Sequence, residues 1–302
     1  MTSGILDNEW LNPVTRESVY CVEDTSAGKV DGEGGGESPN NLLVTAIGDW
    51  LKTSSPTSKV ITAGGKDRAA ILMGGKHPDC AYWYSRKNGH MVTSDYYTQH
   101  IPRWVTEFNN SQWIEKNVPP AWTKLLPESV YTKEGPDEFI AEAKVNSSSS
   151  FPHQFEPGKK AEQILATPYG DLLVLDFARE AIRAEKLGQR GVADLLCLSL
   201  SDCDYVGHAF GSNSHEMIDH LVRLDRALGS FFADAQKAVG VSNVLVVLSA
   251  DHGVMPLPEF LSQFKHERAR RIIYQTEIKK QLDSLDQLLQ KEWNIHEQIF
   301  EN

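Results

Sequence analysis

The sequence predicts an α/β fold built on a parallel sheet, and three observations carry that expectation. Two apolar runs, 195–200 and 244–248, have the length of buried strands, and a helical pattern lies between them, giving the strand–helix–strand order of a parallel unit. Each run is followed at once by an acid and an imidazole, and functional groups of parallel sheets gather at the carboxyl ends of strands. The chain has 302 residues, 40% of them apolar, enough to bury a large core.

The elements follow in order. Glycine-rich text over 28–39, with Gly32, Gly34, Gly35 and Gly36 among acidic residues, reads as a surface loop without the spacing of a phosphate-cradling loop. Ser38 and Pro39 look like an N-cap and a first helical residue, opening a helix with Leu42, Leu43, Ala46, Ile47, Trp50 and Leu51 on one face. Residues 59–63 read as a short strand that ends at Gly64-Gly65-Lys66-Asp67-Arg68. Residues 80–168 are aromatic-rich at first, then rich in Pro, Ser and Lys with weak periodicity, and read as an insertion or lid on the main sheet, its aromatics forming its own core. Residues 170–187 are an amphipathic helix with Leu173, Phe177, Ala181 and Ala184 on one side. A strand at 194–200, a helix at 216–239, a strand at 243–248 and a helical tail over 264–302 complete the chain.

Composition narrows the function. Lys and Arg number 30 against 41 Asp and Glu, and the net charge of -11 argues against a nucleic-acid backbone as partner. It leaves room for a small phosphorylated substrate, because a few local cations can reverse the field in a pocket. The four cysteines include no CxxC pair, so a thiolate zinc site is not expected; a Cys21–Cys80 bridge is possible and Cys197 reads as a core residue. No run approaches the roughly 20 apolar residues of a membrane span. The first residues carry Asp7, Glu9 and Arg16 and do not read as a signal peptide.

The chemistry concentrates in two motifs. Ser249-Ala250-Asp251-His252-Gly253 closes the second run; Asp204 and His208, four apart, follow the first, with Gly207 giving backbone freedom before the histidine. Either pair alone is a common capping arrangement. Together, at the ends of two neighbouring strands, two carboxylates and two imidazoles are a natural start for a two-metal site. His215 and His220 are expected at the surface or behind the ligands, and Asp202 is a candidate to orient one of them.

These stretches, with Gly4-Ile5-Leu6-Asp7-Asn8-Glu9-Trp10, Ser18-Val19-Tyr20, Lys66-Asp67-Arg68-Ala69-Ala70-Ile71, Tyr82-Trp83-Tyr84, Thr93-Ser94-Asp95-Tyr96-Tyr97 and Arg223-Leu224-Asp225, resemble the alkaline phosphatase superfamily. The similarity is strongest to its PafA-like enzymes, which use a single Thr or Ser nucleophile and are relatives of the nucleotide pyrophosphatase/phosphodiesterases. The resemblance implies a three-layer α/β/α sandwich with a mostly parallel central sheet. It implies two Zn²⁺, one on Asp204 and His208 and one on Asp251 and His252. Asn8, Lys66 and Arg68 would bind the phosphoryl group of a monoester, Lys66 and Arg68 also stabilising transition-state charge, and the protein would be periplasmic or secreted. The family also has a first strand bearing an Asp, then the nucleophile, well before the position of Asn8; here seven residues precede Asn8, and Thr2 is too close to serve. Its third ligand to the first zinc is a His beyond the Asp-His-Gly motif, and neither His266 nor His296 sits in that motif. The expectation is one domain over 1–302, truncated at both ends, that binds zinc weakly and has negligible activity alone. The alternatives are a phosphodiesterase or nucleotide pyrophosphatase of the same superfamily and a non-catalytic phosphate-ester-binding remnant. The partner is a small phosphate ester, with no nucleic acid and no membrane span.

Overall fold

A computed structural model describes residues 3–31, 35–132, 135–139, 141–142, 148–296 and 300. Thr2 and parts of the glycine-rich stretch, Gly32 and Gly34 among them, lie outside the described residues. The chain divides into two compact units, Met1–Met255 and Pro256–Asn302, where the sequence suggested one.

In the first unit a ribbon of β1 (Glu9–Leu11) and β2 (Ser18–Tyr20) leads into β3 (Glu23–Val30) and β4 (Gly35–Glu37). Within the expected loop over 28–39, residues 28–30 end β3 and 35–37 form β4, because backbone pairing with its neighbours needs no apolar side chains. Helix α1 is only Ile47–Ser54, and Ser38 caps no helix: its hydroxyl donates to Asp24 Oδ2 at 2.6 Å. The apolar face read there is largely solvent-exposed at Leu43, Ile47 and Trp50.

The centre of the unit is β5 (Val60–Gly64), α2 (Asp67–Gly74), β6 (Cys80–Tyr84) and β7 (Met91–Ser94). Residues 80–84 and 91–94, expected at the start of an insertion, are therefore strands of the main sheet. Short elements follow: α3 (Arg103–Asn109), α4 (Trp113–Asn117), β8 (Ala121–Trp122), α5 (Glu128–Tyr131), β9 (His153–Gln154) and α6 (Lys160–Gln163). Then come α7 (Pro168–Glu185), β10 (Leu195–Ser199), α8 (Asp202–Phe210) and α9 (His215–Val239). Thr167 accepts from Tyr169 N and Pro168 takes the first helical position, which starts α7 two residues before the periodicity does.

The six-stranded sheet runs β10-β5-β6-β7-β3-β4. It is parallel across β10, β5 and β6 and antiparallel beyond, a mixed sheet rather than a mostly parallel one. Alternation divides the fully buried β6 between two cores. Cys80, Tyr82 and Tyr84 pack on α7 with Leu173 and Phe177, while Ala81 and Trp83 pack on α2 with Ala70 and Ile71. Helices therefore cover both faces, as the layered expectation required. Trp104 and Phe108 close on Phe177 at ring-centroid distances of 4.9 and 5.2 Å, so these aromatics serve the main core and not a separate lid. All four cysteines are free, so Cys21 and Cys80 form no bridge.

The largest departure is at 244–248. No strand forms there: Leu245 is 89% exposed and Val247 82%, although the segment shares an apolar cavity of about 280 Å³ with β10. A strand exists through ladder bonds to a neighbour, and β10, the outermost strand, pairs on one side only, with β5. The second unit holds α10 (Pro258–Phe264) and α11 (Lys279–Trp293), the latter entered through a π-helical turn at Tyr274–Ile278, so the tail is helical in two pieces separated by residues 265–273. No helix among the described residues is long and apolar enough to cross a membrane.

Candidate active site

Parallel pairing of β5 with β10 aligns Gly64 with Ser199, so both chains leave the sheet at the same edge and enter helices side by side. Gly64 and Gly65 permit the approach: a Cβ on either would lie 3.0 Å from Ser199 Cβ and 3.2 Å from Ser201 Cβ respectively. The N-cap and first turn of α2 then present Lys66 and Asp67-Arg68, and α8 presents Asp204 and His208, one helical turn apart on one face. Gly207 supplies close contact and not freedom. It is helical, and a Cβ there would meet Val254 at 2.7 Å.

Asn8, Lys66, Arg68, Asp204, His208, Asp251 and His252 all line one cavity of about 650 Å³, together with Ser199 and Ser201. At its centre is the Asp204 carboxylate. Lys66 Nζ donates to Oδ2, while His208 Nε2 lies 3.2 Å and His252 Nε2 3.8 Å from Oδ1. Burial pushes the Asp204 carboxyl up, but the hydrogen bond and charge of Lys66, joined by the two imidazoles, outweigh it and hold the group below the usual carboxylate range. His252 is drawn the other way by its Gly253 carbonyl contact at 3.0 Å and by Asp251, which favour its protonated form. His252 Nε2 stands 3.5 Å from Asp251 Oδ2.

Two partners were not foreseen from the sequence. Tyr20 donates to Asp67 Oδ1 at 2.6 Å, and that oxygen also accepts from the Arg68 backbone N–H at 2.7 Å. Burial and the Asp67 charge push the Tyr20 hydroxyl well above its ordinary value and keep it a donor. Tyr205 places its ring centroid 4.4 Å from Lys66 Nζ, a cation–π contact. Tyr205 adjoins Asp204 in sequence, but the role of Tyr20 depends on a contact across 47 positions that no local pattern carries.

Asp202 is fully buried and bonds to α7 and not to Asp204 or His208. Its Oδ2 accepts from Asp171 N at 2.7 Å, and Asp171 Oδ1 accepts from Asp202 N at 3.1 Å. Each carboxyl thus occupies a free N–H at the start of the other helix, locking α8 to α7; burial raises both carboxyls, Asp171 to about 7. His215 and His220 are not surface residues. His215 is buried against the Gly135 carbonyl at 3.0 Å, and fully buried His220 is 3.5 Å from Asp171 Oδ2.

The donors fit a borderline dication in kind, two carboxylates with two imidazoles, and the ammonium on Asp204 Oδ2 marks a place built for positive charge. They do not fit in number: among the described residues no three His, Cys, Asp or Glu side chains come close enough to hold one ion.

A family model described as type I phosphodiesterase / nucleotide pyrophosphatase matches residues 2–292. The alkaline phosphatase PhoV of Synechococcus elongatus is 42% identical over 267 residues, covering 86% of this chain and 48% of PhoV. The alkaline phosphatase PafA of Elizabethkingia meningoseptica is 38% identical over 273 residues, 87% of this chain and 50% of PafA. A crystal structure of wild-type alkaline phosphatase PafA superposes with a TM-score of 0.86 at 34% identity, over 97% of this chain and 56% of that one. The chain thus spans about half the length of the curated relatives it matches.

Proposed function

The chain belongs to the type I phosphodiesterase / nucleotide pyrophosphatase family, and on that footing we propose that its cavity binds the phosphoryl group of a phosphate monoester. One observation carries this reading: residues from four separate stretches of sequence, Asn8, Lys66 and Arg68, Asp204 and His208, and Asp251 and His252, share one cavity. Arg68 offers a planar fork to two phosphoryl oxygens, Lys66 a point charge, and Asn8 a hydrogen bond. A monoester carries one more negative charge than a diester, which suits two cations. Two relatives bearing the name alkaline phosphatase support the same preference.

Asp204 with His208, and Asp251 with His252, would each contribute two donors to a Zn²⁺. When bound, such ions polarise phosphoryl oxygens and activate a nucleophile. Lys66, whose ammonium donates to Asp204 Oδ2, lines the same cavity and would offer its charge to a phosphoryl oxygen there. The covalent phospho-Thr or phospho-Ser step implied by the resemblance needs a hydroxyl in line with phosphorus. The cavity's own hydroxyls, Ser199 and Ser201, face each other at 3.1 Å, and we assign neither to it. The chain is expected to bind phosphate through Asn8, Lys66 and Arg68. Export to the periplasm or beyond belongs to the same proposal, resting on family resemblance.

Calorimetric titration of the chain with inorganic phosphate, in the presence of Zn²⁺, tests the reading. Arg68→Ala is expected to weaken binding about tenfold or more, the scale of a lost hydrogen bond to a charged group. Unchanged affinity in Arg68→Ala would overturn the assignment. Methyl phosphate binding no better than dimethyl phosphate would favour the diesterase alternative.

A further inference from the structure

A second cavity, of about 730 Å³, adjoins the first, and Lys66 and Arg68 line both. Its far wall is the turn after β6, which carries Arg86. The two walls meet on one ring: Lys66 Nζ lies 4.4 Å and Arg86 Cζ 5.1 Å from the Tyr205 centroid. The cations on this wall are not equivalent. Lys66 is engaged by Asp204, and Lys29 by Glu37 at 2.9 Å. Arg86 forms no ion pair among the described residues; it rests on Tyr205 with its guanidinium exposed. Stacking on an aromatic face orients a guanidinium without using its five N–H donors, which stay free for a planar anion.

We propose that this second cavity receives the leaving group of the ester and that Arg86 binds a carboxylate or phosphate carried by that leaving group. The inference rests on the reading of Lys66 and Arg68 as phosphoryl-binding residues. The phosphoryl group sits where those two side chains border both cavities, and the alcohol portion reaches past Tyr205 to Arg86. Esters with a second anion a few bonds from the ester oxygen are then preferred over esters of neutral alcohols. Arg86 determines specificity and does not touch the reacting atoms.

Two unreactive phosphonates test this on the 302-residue chain with Zn²⁺, by calorimetry. Ethylphosphonate presents only the phosphoryl mimic; 3-phosphonopropionate adds a carboxylate. The second is expected to bind about five- to tenfold more tightly, the scale of one charge-assisted contact on an exposed arginine. Arg86→Ala removes that advantage and leaves ethylphosphonate affinity unchanged, Arg86→Lys restores part of it, and Lys29→Ala leaves it intact. Equal affinity for the two probes, or a preference that survives Arg86→Ala, overturns the proposal. Arg68→Ala weakens both probes alike if the phosphoryl reading is right. If it weakens neither while the Arg86 effect persists, that reading fails and an anion site at Arg86 stands alone. If neither probe binds at millimolar concentrations, both fail.

Discussion

The two halves of the candidate site are built differently. Asp204 and His208 stand on a helix that begins at a paired strand and is bonded by its first residue to α7. Asp251 and His252 follow a segment of equally apolar sequence that has no ladder bonds, and Asp251 is 89% exposed. The lesson concerns preorganisation. A ligand inherits the rigidity of the element beneath it, and an apolar run becomes such an element only when another backbone pairs with it.

The strongest challenge to this contrast is a pair of truncations. Ile61, 3% exposed on β5, is expected to cost about 2–5 kcal/mol as Ile61→Ala. Leu245→Ala, at a residue 89% exposed, should stay within about 0.5 kcal/mol. Urea midpoints measure both, and comparable losses would mean that the segment is packed after all. Acid probes the anchoring of α8. Burial lowers His220 from its ordinary value near 6.5 to about 4. Below pH 6.5 the unfolded chain takes up a proton that the folded chain refuses, so stability falls as pH drops towards 4. Asp171 and Asp202, raised by burial, favour the folded state towards low pH across part of that range, so the His220 contribution is read as the difference between wild type and His220→Gln. That difference should reach roughly 3 kcal/mol; parallel pH profiles would exclude a neutral buried His220. The smallest effect is in metal binding. Asp204→Asn is expected to weaken Zn²⁺ binding about tenfold and Asp251→Asn less than about threefold, since only the first donor is held in place. Equal losses by competition titration would put the two halves on the same footing.

Much of this was legible in the sequence where apolar pattern and burial coincide. The strands at 60–64 and 195–199, and the long helices α7 and α9, follow from runs and periodicity that the core requires. The gathering of Lys66 and Arg68 with Asp204 and His208 was implied by the family resemblance and by no local pattern, although both groups follow strands. Three things were not. The β3–β4 pair is held by backbone bonds between glycine-rich polar segments, which leave no side-chain signal. The strand β6 is buried on both faces, so it lacks the alternation that would set it apart from a lid's aromatic core. The run at 244–248 has a strand's composition, but composition does not say whether a neighbour's backbone is within reach.

The pairing that makes the cavity also sets when it can form. Lys59 N donates to Asp194 Oδ1 at 2.6 Å across 135 positions, and this contact seats β10 beside β5. Closing a chain of that length costs about 4 kcal/mol of loop entropy, repaid only once the intervening helices have condensed. Refolding should therefore assemble α7 with α9 and β6 with β7 before the two strand ends meet. Substitutions at Lys66 or Asp204 should then speed unfolding while leaving the folding rate nearly unchanged, so the residues that would hold a phosphate are among the last to find their places.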